Sequence, residues 1–302
     1  MSDRIDVYIL TGYLGAGKTT VLNHLLEDGG LKDREVALVI NEFGKVGVDG
    51  SRVRDGDYAK FEINKGSIFC ICTKTEMLKA FTEIAENARP DAVIVEATGI
   101  AEVRDFENIL AVPELLAKFQ VRANVCVVDA LNYSKVAPHL RVVNGQVGLA
   151  DGIVINKCDL VSDEAVGVVR KIVSGVNGRA KIVTAERGKL LSGFVDGLVH
   201  AKTDGEAVDE RPADVYAVSF RDAGRMDREA FERVTDELGE RLLRLKGNID
   251  FGDGAEYVEV VYDQVSREKA CGKLGAGTTF TAIGWKVDKD ELRGMFEGCV
   301  TG

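Results

Sequence analysis

The sequence predicts an α/β fold, with a largely parallel sheet flanked by helices, followed by a small α+β domain. Three observations predict it. Over the first 200 residues, short β-branched runs alternate with stretches of helical patterning, as in a parallel sheet with crossover helices. The first run ends in a glycine-rich loop that leads into an amphipathic segment. At 201–211 the composition turns polar and charged (AKTDGEAVDER), Pro212 follows, and beyond it strands and helices come in mixed order. These shifts place a first domain at 1–200, a linker at 201–212 and a second domain at 213–302. The alternative is one domain with a long surface loop.

The elements follow in order. Ile5 to Leu10 is an apolar strand that stops at Gly12. Thr19 to Glu27 is a helix with Leu22, Leu25 and Leu26 on one face. Val36 to Ile40 and Lys60 to Ile63 are strand-like, and Glu76 to Asn87 reads as a helix. Ala92 to Val95 is a buried strand closed by Glu96-Ala97-Thr98-Gly99. Val125 to Val128, Ile153 to Ile155 and Lys181 to Val183 are further short strands. In the second domain Val215 to Phe220 is a strand and Asp227 to Leu245 a long helix. Tyr257 to Tyr262 and Phe280 to Val287 are strands, and Lys289 to Phe296 is a short helix.

Composition narrows the function classes. The 302 residues are 45% hydrophobic and 29% charged, an ordinary globular profile that excludes collagen-like or wholly disordered chains. The net charge of −10 repels phosphate backbones, so no broad nucleic-acid binding is expected. No apolar run reaches 18 residues and the N-terminus lacks a basic start with an apolar core, so neither membrane span nor signal peptide is read. A cytoplasmic location is the expectation. In a reducing compartment the six cysteines are not read as structural disulfides.

Gly12-Tyr13-Leu14-Gly15-Ala16-Gly17-Lys18-Thr19-Thr20 has the spacing G-x-x-x-x-G-K-[ST], between a strand and an amphipathic helix. Such a loop wraps phosphates with backbone N–H groups, here those of Gly12, Gly15, Ala16, Gly17, Lys18, Thr19 and Thr20, and the helix N-terminus adds positive potential. Lys18 would reach the β- and γ-phosphates and the Thr19 hydroxyl would bind Mg²⁺. A chance glycine turn before a helix is the bland alternative. After the strand at 153–155 comes Asn156-Lys157-Cys158-Asp159. The Asp159 carboxylate can accept from the ring N–H and the exocyclic amine of guanine together, a donor pair that adenine lacks. An acceptor left unpaired in a buried site costs about 1–3 kcal/mol, which favours GTP over ATP. Asn156 and Lys157 would brace and cover the base, and the Ala185 backbone N–H could meet the guanine carbonyl. Taken alone, the four residues 156–159 are often a plain turn. Glu96, at a strand's C-terminal end, could hold a Mg²⁺-bound water, and the Gly99 N–H could sense the γ-phosphate. Lys18, Thr19 and Glu96 are thus the candidate catalytic residues. Glu42 and Asp49 lie on a glycine-rich segment (NEFGKVGVD, 41–49) suited to a loop that orders around a metal and the γ-phosphate, or to a solvated loop.

Gly66-Ser67-Ile68-Phe69-Cys70-Ile71-Cys72 is apolar except for Ser67 and its sulfurs. In an extended segment, i and i+2 share a side, so Cys70 and Cys72 could chelate one soft or borderline cation. Two sulfurs leave a tetrahedral shell open, which reads as an exchangeable site with Glu42 as a candidate third ligand. Two buried cysteines acting as small hydrophobes is the alternative.

Together these motifs resemble the CobW-type P-loop GTPases, a family of metal chaperones related to the urease and hydrogenase nickel-insertion GTPases. The resemblance rests on GYLGAGKTT at 12–20, NEFGKVGVD at 41–49, the segment 66–72, EATG at 96–99 and NKCD at 156–159, and it spans nearly the whole chain. It implies Mg²⁺-dependent GTP hydrolysis coupled to delivery of a divalent transition metal (Zn²⁺, Co²⁺ or Ni²⁺) to a client metalloprotein, with the metal on Cys70 and Cys72 and Glu42 as helper. A homodimer formed with nucleotide is kept as an option. The usual G-C-x-C-C signature is altered. Without a gap, Ser67, Phe69 and Cys70 fall on its three Cys positions; in a shifted frame Cys70, Cys72 and Thr73 do. With three scattered histidines, no metal store is implied. A regulatory GTPase that activates a cofactor-dependent enzyme, and a small-molecule kinase, are the competing functions.

Overall fold

The computed structural model describes residues 4–27, 30–32, 34–41, 59–63, 71–97, 103–137, 141–190, 193–201, 215–221, 223–261, 264–270 and 277–301. The described residues up to 201 fall in one compact unit and those from 215 onward in a second.

The first unit runs β1 (Ile5–Thr11), α1 (Lys18–Glu27), β2 (Val36–Asn41), β3 (Ala59–Ile63), α2 (Ile71–Glu83), β4 (Ala92–Glu96), α3 (Val103–Leu110), α4 (Pro113–Leu116), β5 (Phe119–Asp129), α5 (Tyr133–Val136), α6 (Arg141–Gly148), β6 (Gly152–Asn156), α7 (Asp163–Val176) and β7 (Lys181–Thr184). Its seven strands pair in parallel in the order β3-β2-β4-β1-β5-β6-β7. β1 reads as a continuous apolar run because both of its faces are covered. Tyr8 and Leu10 join a core with Leu22 and Leu25 of α1 and Val125 and Val127 of β5. Val7 and Ile9 face the opposite way, into a core with Phe81 of α2, Phe106 of α3 and Phe119. A π turn, Ile84–Ala88, closes α2, and Arg89 caps it in the left-handed region.

Because the sheet is parallel, the C-terminal ends of β1, β4, β5 and β6 share one edge. Gly12, Glu96, Asp129 and Asn156 stand there, at the ends where open α/β sheets bind ligands.

The second unit comprises β8 (Val215–Phe220), β9 (Arg225–Met226), α8 (Arg228–Leu238), β10 (Leu242–Asp250), β11 (Ala255–Val261), β12 (Gln264–Lys269), β13 (Thr279–Trp285), α9 (Lys289–Glu297) and β14 (Val300–Thr301). β12-β11-β10-β13-β8 form an antiparallel sheet, and β14 pairs with β9. Phe220, Phe231, Phe280 and Phe296 pack together in its core. The α/β unit followed by a small α+β unit is the fold class the sequence predicts.

The long helix expected over Asp227 to Leu245 is a correction. α8 stops at Leu238, Gly239 follows with φ 48°, and the chain enters β10 at Leu242. Leu242, Leu243 and Leu245 satisfy a helical spacing, but pairing of β10 with both β11 and β13 decides their structure.

Candidate functional site

The loop between β1 and α1 turns on left-handed glycines. Gly12 has φ 133° and Gly17 φ 94°. A Cβ on Gly12 would overlap the Val127 carbonyl oxygen, and one on Gly17 would overlap the Asn156 amide, so neither position admits a side chain. The loop closes with Ala16 N–H on Tyr13 O, and α1 starts with Val21 N–H on Gly17 O. Lys18 is buried, and its Nζ donates to the Gly12 carbonyl at 2.9 Å and to that of Tyr13 at 3.3 Å. The ammonium is thus folded back onto the carbonyls of its own loop. Thr19 Oγ1 donates to Glu96 Oε1 at 2.8 Å. Glu96 is buried at the end of β4, in register with Leu10 of β1. Two hard oxygen ligands side by side suit a small hard cation.

Asn156 ties this loop to the next. Its Nδ2 donates to the Ala16 carbonyl at 3.0 Å, and its Oδ1 accepts from Gly188 N at 2.9 Å. Gly188 and Arg187 are both left-handed, φ 76° and 49°, in a tight turn closed by Lys189 N–H on Glu186 O. Lys157 is also left-handed, φ 63°, and its Nζ lies 2.7 Å from Asp129 Oδ2. Asp159 stands in the short turn Cys158–Leu160 with Arg187 Nε 3.5 Å from its Oδ2. Of the four left-handed non-glycine residues among those described, two therefore lie here. Burial pushes up the thiols near the site: Cys158, despite its bond from the Ala185 side of the loop, and Cys126, whose pKa rises to about 12. Neither is a thiolate at neutral pH.

Comparison with known proteins identifies the scaffold. Residues 6–184 match the family model "CobW/HypB/UreG, nucleotide-binding domain". The chain belongs to this family. Residues 215–300 match the cobalamin synthesis protein CobW C-terminal domain. The "Zinc chaperone YjiA" of Escherichia coli is 27% identical, over 97% of this chain and 98% of that protein. The "Zinc chaperone CobW" of Pseudomonas aeruginosa is 28% identical over 62% of this chain and 58% of its own length. The "Zinc-regulated GTPase metalloprotein activator 1" of Schizosaccharomyces pombe is 32% identical over 62% of this chain and 47% of its own length.

Within this CobW/HypB/UreG chain the structure brings together Gly12, Gly15, Ala16, Gly17, Lys18, Thr19, Thr20, Glu96, Asn156, Lys157 and Asp159 along one sheet edge. Ala185 departs from expectation. Its N–H donates to the Ile155 carbonyl at 2.8 Å, so β7 extends its pairing one step and spends the amide proposed for a base carbonyl. Glu42, Asp49, Cys70 and Gly99 lie outside the described residues. Ile71 and Cys72 open α2, so the strand geometry expected of 66–72 does not hold for them. Among the described residues no group of three or more His, Cys, Asp or Glu could hold a metal ion. None of the described helices is long and apolar enough to cross a membrane. Sequence reasoning missed Asp129, Arg187 and Gly188. An acid closing an apolar strand was the available signal for Asp129, and an Arg-Gly pair just past a strand was the signal for the turn.

Proposed function

We propose that this protein is a Mg²⁺-dependent GTPase that binds a divalent transition metal and passes it to a client metalloprotein. The carrying observation is the Asn156 bridge: one side chain bonds both the phosphate loop and the turn behind the base loop. A phosphate cradle and an N-K-x-D segment so joined suit a guanine nucleoside triphosphate. Asp159 would accept from the guanine N–H and amine, Lys18 would meet the β- and γ-phosphates, and the loop amides would hold the rest. Thr19 and Glu96 fit Mg²⁺ as hard oxygen donors, and the ion supplies charge neutralisation on the phosphates when bound. The metal cargo is assigned to Cys70 and Cys72 with Glu42 as helper, and Asp49 and Gly99 are assigned to sensing the γ-phosphate. The names of the relatives, two zinc chaperones and a zinc-regulated metalloprotein activator, support the metal part of the reading.

Two titrations test it. Asp159→Asn should weaken GTP binding and favour xanthosine triphosphate, because an amide donates where the carboxylate accepted. Unchanged GTP affinity would move the base site elsewhere. Zn²⁺ and Co²⁺ titrations with GDP and with a non-hydrolysable GTP analogue should differ by roughly 5- to 150-fold in metal affinity, the usual range of coupling, and metal must shift nucleotide affinity by the same factor. Cys70→Ser with Cys72→Ser should abolish the difference while leaving GTP binding of the apo-protein intact. Equal metal affinity in both nucleotide states would favour a regulatory GTPase in which the cysteines are structural.

A further inference from the structure

We propose that Asp129 is a positioning residue of the base site, acting through Lys157; the inference rests on the guanine-nucleotide reading of that site. Asp129 closes β5 directly beside Asn156 of β6, and Ala130 N–H donates to the Asn156 carbonyl at 2.9 Å. Asp129 is 7% exposed, and its carboxylate takes three donors. Oδ1 accepts from Leu131 N at 2.9 Å, and Oδ2 accepts from Asn132 Nδ2 at 3.1 Å and from Lys157 Nζ at 2.7 Å. Lys157 stands between Asn156 and Asp159 in a backbone region disfavoured for any residue but glycine.

The chemistry follows from the two ends of the lysine. Its backbone is fixed by the left-handed turn and its ammonium by Asp129, so the four-carbon stem between them has little rotamer freedom left. An apolar stem held beside Asp159 is a ready surface for the flat face of a purine. Fixing it before the ligand arrives removes an ordering cost from binding, which is preorganisation. Held by Asp129, the ammonium also does not swing onto Asp159, whose carboxylate has the exposed Arg187 beside it at 3.5 Å. Phosphate contacts are made by the other loop, so the effect of Asp129 is confined to the base half of the nucleotide.

The bonds from Leu131 and Asn132 give Asp129 a structural part in the turn that enters α5, and the experiment separates the two roles. Equilibrium binding of GDP, and competition by inorganic tripolyphosphate as a ligand without a base, are measured on wild type, Asp129→Asn, Lys157→Met, the double variant of these two, Lys157→Arg, and Lys157→Arg combined with Asp129→Asn. Asp129→Asn and Lys157→Met should each weaken GDP on the order of 10-fold, as for loss of one charge-assisted hydrogen bond. The double variant should be no weaker than either single one, tripolyphosphate should bind all forms equally, and Lys157→Arg should restore most of the affinity only when Asp129 is present. Losses that multiply to roughly 100-fold in the double variant would overturn the proposal, as would equal weakening of GDP and tripolyphosphate by Asp129→Asn. If Asp129→Asn does not fold, Lys157→Arg against Lys157→Met decides with Asp129 intact: equal weakening overturns it. If wild type binds no GDP, or Asp159→Asn binds it as wild type does, the guanine reading itself fails. Binding that depends on Asp159 but not on the Asp129–Lys157 pair removes this inference alone.

Discussion

Asn156 spends both ends of its amide within the protein, on Ala16 O and Gly188 N. Replacing it by Ala should loosen two loops at once and leave buried partners unmet, at a cost of about 1–3 kcal/mol. Urea unfolding of Asn156→Ala would show this, and a change below about 0.5 kcal/mol would show that the bridge adds no stability. Lys18→Ala should behave in the opposite manner. Its bonds to Gly12 O and Tyr13 O are local, so the fold should survive, while binding of a fluorescent GTP analogue should fall by roughly 100-fold or more. Lys18, Thr19, Glu96 and Asn156 were legible in the sequence because spacing within a short motif fixes their geometry. Asp129 and Arg187 were not, because what defines them is a partner met across the sheet edge, Lys157 and Asp159 respectively. Ala185 misled for a related reason: whether a backbone amide is free depends on where a neighbouring strand stops pairing, and no side chain announces that.

Helices and strands were read best where burial leaves one solution. β1, β4 and β6 are apolar on both faces, and a parallel sheet has no other use for such runs. β5 was read only over its last residues, since Gln120, Arg122 and Asn124 interrupt the apolar pattern of its first half. α7 was passed over although Ser162 caps it by accepting from Ala165 N, the ordinary start signal. The segment after β7 returns to the sheet through His200, whose Nδ1 lies 2.8 Å from Asp151 Oδ2 and whose Nε2 lies 3.4 Å from Glu107 Oε1 of α3. Burial disfavours the charged ring, but the bond to Asp151 and the charges of Asp151 and Glu107 outweigh it and raise the pKa above its ordinary value. A raised pKa stabilises the fold fully below the unfolded value near 6.5, and that contribution fades as pH climbs through the folded pKa. Melting temperatures of wild type and His200→Gln should therefore differ most below about pH 6.5 and converge at higher pH. A gap that stays constant from pH 5.5 to 8.5 would show that the charge of the ring plays no part.

Among the described residues, the core clusters of the first unit share no residue with that of the second. Nucleotide that binds only the first should raise only one of two calorimetric transitions, by an amount that grows with the logarithm of GDP concentration. Phe280 lies fully buried, stacked on Phe220 with centroids 4.6 Å apart. Phe280→Ala should cost the second unit about 3–5 kcal/mol and leave GDP binding by the first in place. Loss of both transitions together would mean that the units fold as one. The order of strands in the first unit bears on synthesis as well. β1 emerges first, yet it lies at the middle of seven strands, and its two neighbours, β4 and β5, are encoded far downstream. At about 5–20 residues per second, the ribosome needs roughly 6–24 s to move from the end of β1 to the end of β5. Until β4 is made, roughly 4–17 s into that interval, β1 has neither partner, and its unmet backbone is open to pairing with other chains. Codon choice or a translational pause before Asp129 should thus govern the yield of folded protein far more than the same pause placed after β7.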